Sequence, residues 1–262
     1  MFVLSIVAAI LLPVYHLFTM GFKLEKDTFS IPPKWLFFPT IEHYLKLFEV
    51  APFALFLLNS TVISLGSVVV SLLLGLPAAY ALAHLEFRGK TAVLFSILSI
   101  RLIPPMCVVL PFFLFYSKVR LVDTYAGLII IYLTFNLSLV IWIMKTFFED
   151  LPRVLYDAAA IDGASVWQIF YGISLPLVSH GIVATGILCF SASWIEFLYA
   201  LILTRRYART AIVGLTIFMR FEDTQWGAIA AGGTIVTLPV IIFAFALRRF
   251  LVRGLTQGAV KE

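Results

Sequence analysis

Charged residues are scarce in this sequence, and their scarcity excludes an ordinary soluble domain. Asp, Glu, Lys and Arg make up 13% of the 262 residues, whereas 62% are hydrophobic and the mean hydropathy is +1.04. Soluble globular domains carry about 25% charged residues. The composition therefore indicates a chain that folds mainly in lipid.

The motifs of cofactor chemistry are also missing. The only two cysteines, Cys107 and Cys189, fall inside hydrophobic segments, where a thiol usually serves as small apolar filler. The four histidines show no metal-ligand spacing, and no Gly-x-x-x-x-Gly-Lys phosphate loop occurs. No segment resembles a nucleic-acid-binding module, although the net charge is +5. We therefore expect that this chain binds no cofactor, metal or nucleic acid, and that any ATP involved is bound by another chain.

Long hydrophobic runs are what the sequence has in abundance. A helix needs about 20 mainly apolar residues to cross a bilayer, and in lipid its backbone groups must be satisfied internally. Residues 1–22 lack the basic start and cleavage pattern of a signal peptide, so we interpret them as a retained helix. The sequence predicts a single all-α polytopic membrane domain over residues 1–262. Its six spans are predicted near 1–22, 55–84, 91–117, 124–144, 180–204 and 227–247.

The loops between these spans leave the orientation open. Six spans would put both termini on one side of the membrane, together with the long loop 149–179 and the tail 248–262. Lys and Arg in short loops favour the cytoplasm. Eight of them lie on the side of the termini and ten on the other side. Charge alone therefore does not decide which side is cytoplasmic.

Two segments predict departures from straight spanning helices. The run RLIPPMCVVLPFF contains three prolines, among them Pro104 and Pro105, which remove backbone donors and should bend or break the helix. Residues 41–48 have the apolar spacing of an amphipathic helix, with Thr40 as its N-cap. That helix would either lie along the membrane surface or form the ordinary start of the next span.

Four side chains inside the spans are candidates for a solute pathway. Glu196 and Arg101 are charged, and a charge at mid-bilayer costs at least ~2.5 kcal/mol, so both should face protein or water. Trp194 lies beside Glu196 in sequence and offers an aromatic face on which a sugar ring can stack. Structural alternatives stay open: an ion pair of Glu196 with Arg101, bonding of Arg101 to carbonyls freed by proline, and an interhelical hydrogen bond for Asn136.

The stretch YDAAAIDGASVWQIFYGISLP, residues 156–176, is an alanine-rich segment between two hydrophobic runs. Ala158 and Ala159 favour a thin helix, and Asp157 near its start suits the helix dipole. Gly163 should end or bend that helix. Such a helix is either a plain solvent-exposed loop helix or a shape that can enter a cleft in a partner.

The spacing of this stretch resembles the EAA motif of bacterial ABC-importer permeases. That motif runs Glu-Ala-Ala, three residues, Gly, nine residues, Ile-x-Leu-Pro. The matching positions here are Asp157 (in place of Glu), Ala158, Ala159, Gly163, Ile173, Leu175 and Pro176, with Asp162 beside the glycine. The resemblance implies a cytoplasmic coupling helix that docks on an ATP-binding subunit, with both termini in the cytoplasm.

The resemblance extends over most of the chain and points to the MalG-like, binding-protein-dependent permeases for carbohydrate uptake. It is carried by PTIEHYLKLF, LNSTVIS, AAYALAHLEFRGK, IDGAS, SWIEFLYALILT and WGAIAAGGTIVTLPV. The ending GLTQGAVKE resembles a tail that contacts the ATPase subunits in that family. The resemblance implies this role for Gly254, Thr256, Gly258 and Lys261.

Membership of that family implies a transport subunit rather than an enzyme. The expected partners are a second homologous permease, two ATP-binding-cassette ATPase subunits that hold ATP and Mg, and an extracytoplasmic solute-binding protein. The assembly would import a sugar or sugar-like solute across a bacterial or archaeal cytoplasmic (inner) membrane. His43 and Ile195 depart from the Asn that relatives often have, so no substrate contact is carried over to them.

Two other classes of function can be compared with the residues of the spans. A stand-alone ion-coupled secondary transporter would need buried ionisable groups, and only Glu196 and Arg101 qualify. An intramembrane enzyme would need paired Asp, Ser-Lys or His-Glu-x-x-His sets, which the spans lack.

Overall fold

The structure is a computed structural model that describes residues 2–32, 34–219 and 224–257. Over these residues the chain forms helices and no β-strand, which confirms the all-α prediction. The longer helices are α1 (Phe2–Met20), α4 (Phe53–His84), α5 (Lys90–Leu102), α6 (Pro105–Lys118), α7 (Tyr125–Glu149), α11 (Ser179–Trp194) and α14 (Trp226–Gln257). The shorter ones are α2 (Glu25–Thr28), α3 (Glu42–Val50), α8 (Arg153–Ile161), α9 (Val166–Ile169), α10 (Leu175–Leu177), α12 (Leu198–Leu203) and α13 (Ala211–Gly214).

Three helices are long and apolar enough to cross a membrane by themselves, namely α4, α7 and the Trp226–Ala246 part of α14. Two bent pairs raise the number of candidate spans to five if each pair crosses as one unit. Helix α1 coincides with the first predicted span but is shorter than these three helices. The chain is thus a multi-pass helical protein, and six spans remain a prediction.

The third predicted span is broken, as its prolines indicated. Helices α5 and α6 meet at an angle of 93°. Pro104 and Pro105 have no amide hydrogen to donate to the preceding turn, so α5 cannot continue through them. Pro105 instead becomes the first residue of α6, where a missing amide hydrogen costs nothing. The predicted bend is therefore confirmed.

The fifth predicted span, 180–204, is not one helix. Helix α11 ends at Trp194, and α12 begins at Leu198 after a three-residue interruption. A second bend of 76° separates α11 from the helical segment that precedes it, which includes a π-helical turn at Phe170–Ser174. Hydropathy does not detect the interruption after Trp194, because the residues around it other than Glu196 are apolar or small.

The helices divide into two compact units. The first unit comprises residues 1–60 and 205–242. Within it, Nδ2 of Asn59 donates to the carbonyl oxygens of Tyr207 and Arg209 at 2.8 and 2.9 Å. Gly227 lies against the imidazole of His43, so closely that a Cβ there would collide with the ring. The glycine at the start of α14 thus permits a close approach to α3.

Helix α3 of the first unit is the predicted amphipathic helix. It begins at Glu42, so its N-cap is Ile41 and not the predicted Thr40, although the amide of Glu42 lies 3.2 Å from Oγ1 of Thr40. His43 and Leu47 are buried and attach the helix to the unit, whereas Leu45 of the predicted apolar stripe stays exposed. This arrangement fits a helix at a membrane surface.

The second unit comprises residues 61–204 and 243–262. Its central contact is the packing of α7 against α11, where Gly181 lets the ring of Phe147 approach within 2.8 Å of the position that a Cβ would occupy. Both sites described next lie in this unit.

Candidate functional site

Helix α8 contains the motif predicted to couple the chain to a partner. It starts after Pro152 and ends at Ile161, with Asp162 as its C-cap. Gly163 follows with φ +79°, a left-handed conformation that favours glycine. The predicted helix and its termination at Gly163 are confirmed.

One side of α8 faces away from the chain. At about 100° per residue, Val154, Ala158 and Ile161 form an apolar stripe, and the outer two are 73% and 86% exposed. Asp157 is exposed as well. Ala159 lies on the opposite side and is only 7% exposed, so the two motif alanines have different surroundings. The stripe of Val154, Ala158 and Ile161 is the surface that α8 offers to a partner.

The turn after α8 is held by local hydrogen bonds. Ser165 and Gln168 form a capping box in which the amide of Ser165 lies 2.7 Å from Oε1 of Gln168. This box starts α9 directly after the glycine turn. At the end of the motif, Leu175 is half-buried and Pro176 is exposed, so the second half of the motif returns the chain to the next long helix.

A cavity of about 410 Å³ lies where α5 and α6 bend away from each other. Its walls come from α5, α6, α7, α11 and α12, and they are mainly apolar. The polar and aromatic side chains in the lining are Arg101, Phe112, Thr134, Phe135, Glu196 and Tyr199. This volume falls in the range of small-molecule sites. The bend therefore brings together two of the four predicted pathway residues, Arg101 and Glu196.

Glu196 is committed to the backbone of α12. Its carboxylate oxygens accept from the amides of Tyr199 at 2.9 Å and Ala200 at 3.1 Å. Amides in the first turn of a helix have no partner within the helix, so the carboxylate stabilises the start of α12. No ion pair of the described residues joins Glu196 to Arg101. The two side chains therefore do not form the ion pair that the sequence left open, although both line the cavity.

The other two predicted residues lie outside the cavity lining. Trp194 is buried, and its ring stacks on that of Phe190 with the centroids 5.4 Å apart. Asn136 is fully buried, and its Nδ2 donates to the hydroxyl oxygens of Ser193 at 2.8 Å and Ser67 at 3.2 Å. This bonding links α4, α7 and α11, which is the interhelical role left open for Asn136.

Replacing Asn136 by leucine should lower stability and leave transport nearly intact. Interhelical side-chain hydrogen bonds in membranes average about 0.6 kcal/mol, so losing two should cost about 1 kcal/mol in the free energy of unfolding. Thermal unfolding in detergent would measure the loss. Ser96→Ala is the control, because that hydroxyl bonds only within α5, to the carbonyl of Ala92. Lost uptake at unchanged stability would instead make Asn136 a solute contact.

Sequence reasoning missed the aromatic walls of the cavity and the burial of Tyr156. Phe112, Phe135 and Tyr199 belong to helices that are apolar on all sides, so no periodic contrast marks the inner face. Tyr156 directly precedes the motif and is half-buried. Burial raises the pKa of its hydroxyl, which therefore stays protonated at neutral pH.

The predicted tail contacts are only partly within reach of the structure. Helix α14 continues to Gln257, so Gly254 and Thr256 fall on its final turns. Gly258 and Lys261 lie outside the described residues.

The sequence matches a known family over most of its length. Residues 71–257 match the model of the binding-protein-dependent transport system inner membrane component. The chain is 42% identical over 251 residues to the probable ABC transporter permease protein y4oR of Sinorhizobium fredii, which covers 96% of this chain and 90% of that protein. It is 38% identical to the trehalose transport system permease protein SugB of Mycobacterium tuberculosis, over 98% and 94% of the two chains.

A further relative supports the same placement, and a solved structure shares the fold. The trehalose/maltose transport system permease protein MalG of Thermococcus litoralis is 32% identical, over 99% of this chain and 96% of that protein. The fold matches a chain of a bacterial ABC transporter that imports the acidic polysaccharide alginate, with a TM-score of 0.72 at 22% identity over 94% and 96% of the chains. The chain belongs to the family of inner-membrane permease components of binding-protein-dependent ABC transport systems.

Proposed function

We propose that this chain is the transmembrane permease subunit of an ABC importer that moves a sugar or sugar-like solute into the cell. The observation that carries the proposal is the family match over residues 71–257 together with full-length relatives named for trehalose and maltose transport. The substrate class rests on those relatives.

In this proposal, ATP and Mg bind to two partner ATPase subunits, and the exposed stripe of α8 docks on one of them. A second permease completes the pathway, and an extracytoplasmic binding protein delivers the solute. Closure of the ATPase pair on ATP would move α8, and the helices would rock as rigid bodies between inward-open and outward-open states. Loop 149–179 and both termini then lie in the cytoplasm, where Gly254, Thr256, Gly258 and Lys261 approach the ATPases.

The cavity at the α5–α6 bend is the part of this chain best suited to contact the solute. Arg101 offers several hydrogen-bond donors, and no carboxylate of the described residues occupies them. Phe112 and Phe135 supply apolar ring faces in the same cavity. A sugar presents hydroxyl oxygens and apolar C–H faces together, which suits such a lining. Glu196 shapes this cavity by starting α12.

Replacing Arg101 by leucine should weaken solute recognition without dissociating the complex. The loss of charged hydrogen bonds, worth about 1.5–3 kcal/mol each, should raise the KM for uptake about tenfold. Uptake of labelled sugar by the complete transporter in proteoliposomes would measure it. Lys118→Leu is the control, since it removes the same charge at the end of α6 that lies away from the bend. An unchanged KM in both variants would exclude Arg101 from the pathway.

Purification of the native assembly tests the proposed function. The chain, tagged at its N-terminus, should carry ATPase subunits and a second permease with it from native membranes. Addition of its binding protein and a panel of sugars should identify one that stimulates ATP hydrolysis. Sugar uptake by the purified single chain, driven by an ion gradient without ATPase, would support a stand-alone secondary transporter instead.

A further inference from the structure

Five rings from four segments meet where the coupling loop joins the long helices. Tyr80 and His84 come from the last turns of α4, and Phe148 comes from the last turn of α7. Tyr156 belongs to α8, and Phe170 follows α9. We refer to these five residues as the aromatic joint.

The rings of the joint are in mutual contact. The ring of Tyr156 lies 4.3 Å from that of His84 and 6.3 Å from that of Tyr80, centroid to centroid. Tyr80 in turn lies 5.1 Å from Phe170 and 5.5 Å from Phe148. Tyr80, Phe148 and Phe170 are buried. The hydroxyl oxygens of Tyr156 and Ser174 are 3.4 Å apart, which ties α8 to the π-helical turn as well.

Helix α8 has few other attachments to the rest of the chain. Ala159 is its only buried residue, and Tyr156 is its only half-buried one. A methyl group offers little surface to hold a helix in place, so the position of α8 depends mainly on the ring of Tyr156. The exposed stripe lies on the other side of α8 from this ring, although Ala158 is only two residues from Tyr156 in sequence.

Resting on the proposed function, we propose that the aromatic joint is the positioning group that makes α8 move as one body with the ends of α4 and α7. Close-packed side chains transmit a displacement rather than absorb it. A movement imposed on the stripe by an ATPase then reaches both long helices through Tyr156. Without the ring, α8 would shift on its own and the spans would remain still.

The test follows movement at the α5–α6 bend instead of transport, so the identity of the sugar is not needed. In the complete assembly, with Cys107 and Cys189 replaced by serine and alanine, Ile103→Cys places a thiol in the cavity lining. Its labelling rate by a methanethiosulfonate reagent is compared with and without trapping of the ATPases by ATP and vanadate. With Tyr156 present, trapping should change the rate about fivefold, the scale of coupling effects along packed networks.

Tyr156→Ala should abolish this response while the ATPases still co-purify and still trap vanadate. Tyr156→Phe, which keeps the ring, should respond as the parent does. His84→Ala removes the same ring contact from the side of α4 and should give the same loss. This second variant tests the proposal if the Tyr156→Ala assembly does not form. Leu177→Ala is the control, because Leu177 is an exposed apolar side chain of the same loop outside the joint.

Three results would overturn the proposal. The first is a normal response in assembled Tyr156→Ala and His84→Ala variants. The second is an equal loss in Leu177→Ala, which would indicate general disruption of the loop. The third is a labelling rate that trapping leaves unchanged with Tyr156 in place, since no movement would then reach the bend. If no ATPase co-purifies with the unaltered chain, the proposed function itself is wrong, a result recognisable before any variant is made.

Discussion

Replacing Ala158 by glutamate is expected to abolish uptake by the complete transporter. Ala158 lies at the centre of the exposed stripe of α8, between Val154 and Ile161. In the proposed docked state this position enters a groove of the ATPase, where an unpaired carboxylate costs several kcal/mol. Since ~1.4 kcal/mol is a factor of ten in binding, the ATPase subunits should dissociate from the permease during purification.

The matched control for this variant is Ala160→Glu. Ala160 is also exposed on α8, but it lies about 160° around the helix from Ala158. The same charge and bulk at that position should leave co-purification and uptake within about twofold of the unaltered protein, as for most surface substitutions. Equal loss in both variants would mean that α8 is merely unfolded by glutamate. Equal retention would mean that the stripe docks on nothing.

The second large effect is expected from Glu196→Leu. This substitution removes the oxygens that accept from the amides of Tyr199 and Ala200. Each buried amide left without a partner costs about 1–3 kcal/mol, so the free energy of unfolding should fall by about 2–6 kcal/mol. We expect little folded protein to be recovered from membranes, and the fraction recovered should unfold at a lower temperature.

Glu196→Gln separates this structural role from contact with solute. The glutamine keeps one oxygen that can accept an amide hydrogen, so stability should fall by only about 1 kcal/mol, the contribution of a typical hydrogen bond. Uptake per folded molecule should be nearly unchanged. A stable Glu196→Gln protein without uptake would show that the negative charge itself takes part in transport.

Where the sequence predicted the structure correctly, the signal was a backbone property of single residues. Pro104 and Pro105 cannot donate a hydrogen bond, and this adjacent pair marks the bend between α5 and α6, whereas Pro111 of the same run lies within α6. Gly163 tolerates a positive φ and ends α8. The spacing of the motif from Asp157 to Pro176 placed a helix correctly because small residues and the glycine turn act locally.

The rest could not be predicted because a membrane helix is apolar on every side. Phe112 and Tyr199 line a cavity, while many other aromatic residues of the spans do not, and hydropathy gives both groups the same value. Glu196 looked like a functional charge because an acidic residue within a hydrophobic run is costly. The structure shows that the amides at the start of α12 bond to its oxygens.

The proline pair between α5 and α6 keeps the bend between these two helices in place. A helix break can close when the backbone amides at the break form hydrogen bonds to carbonyls of the preceding turn. Pro104 and Pro105 have no amide hydrogen, so these hydrogen bonds cannot form at this break. The bend beside Arg101 is therefore set by the covalent chain, and in the proposed mechanism the helices would tilt around it.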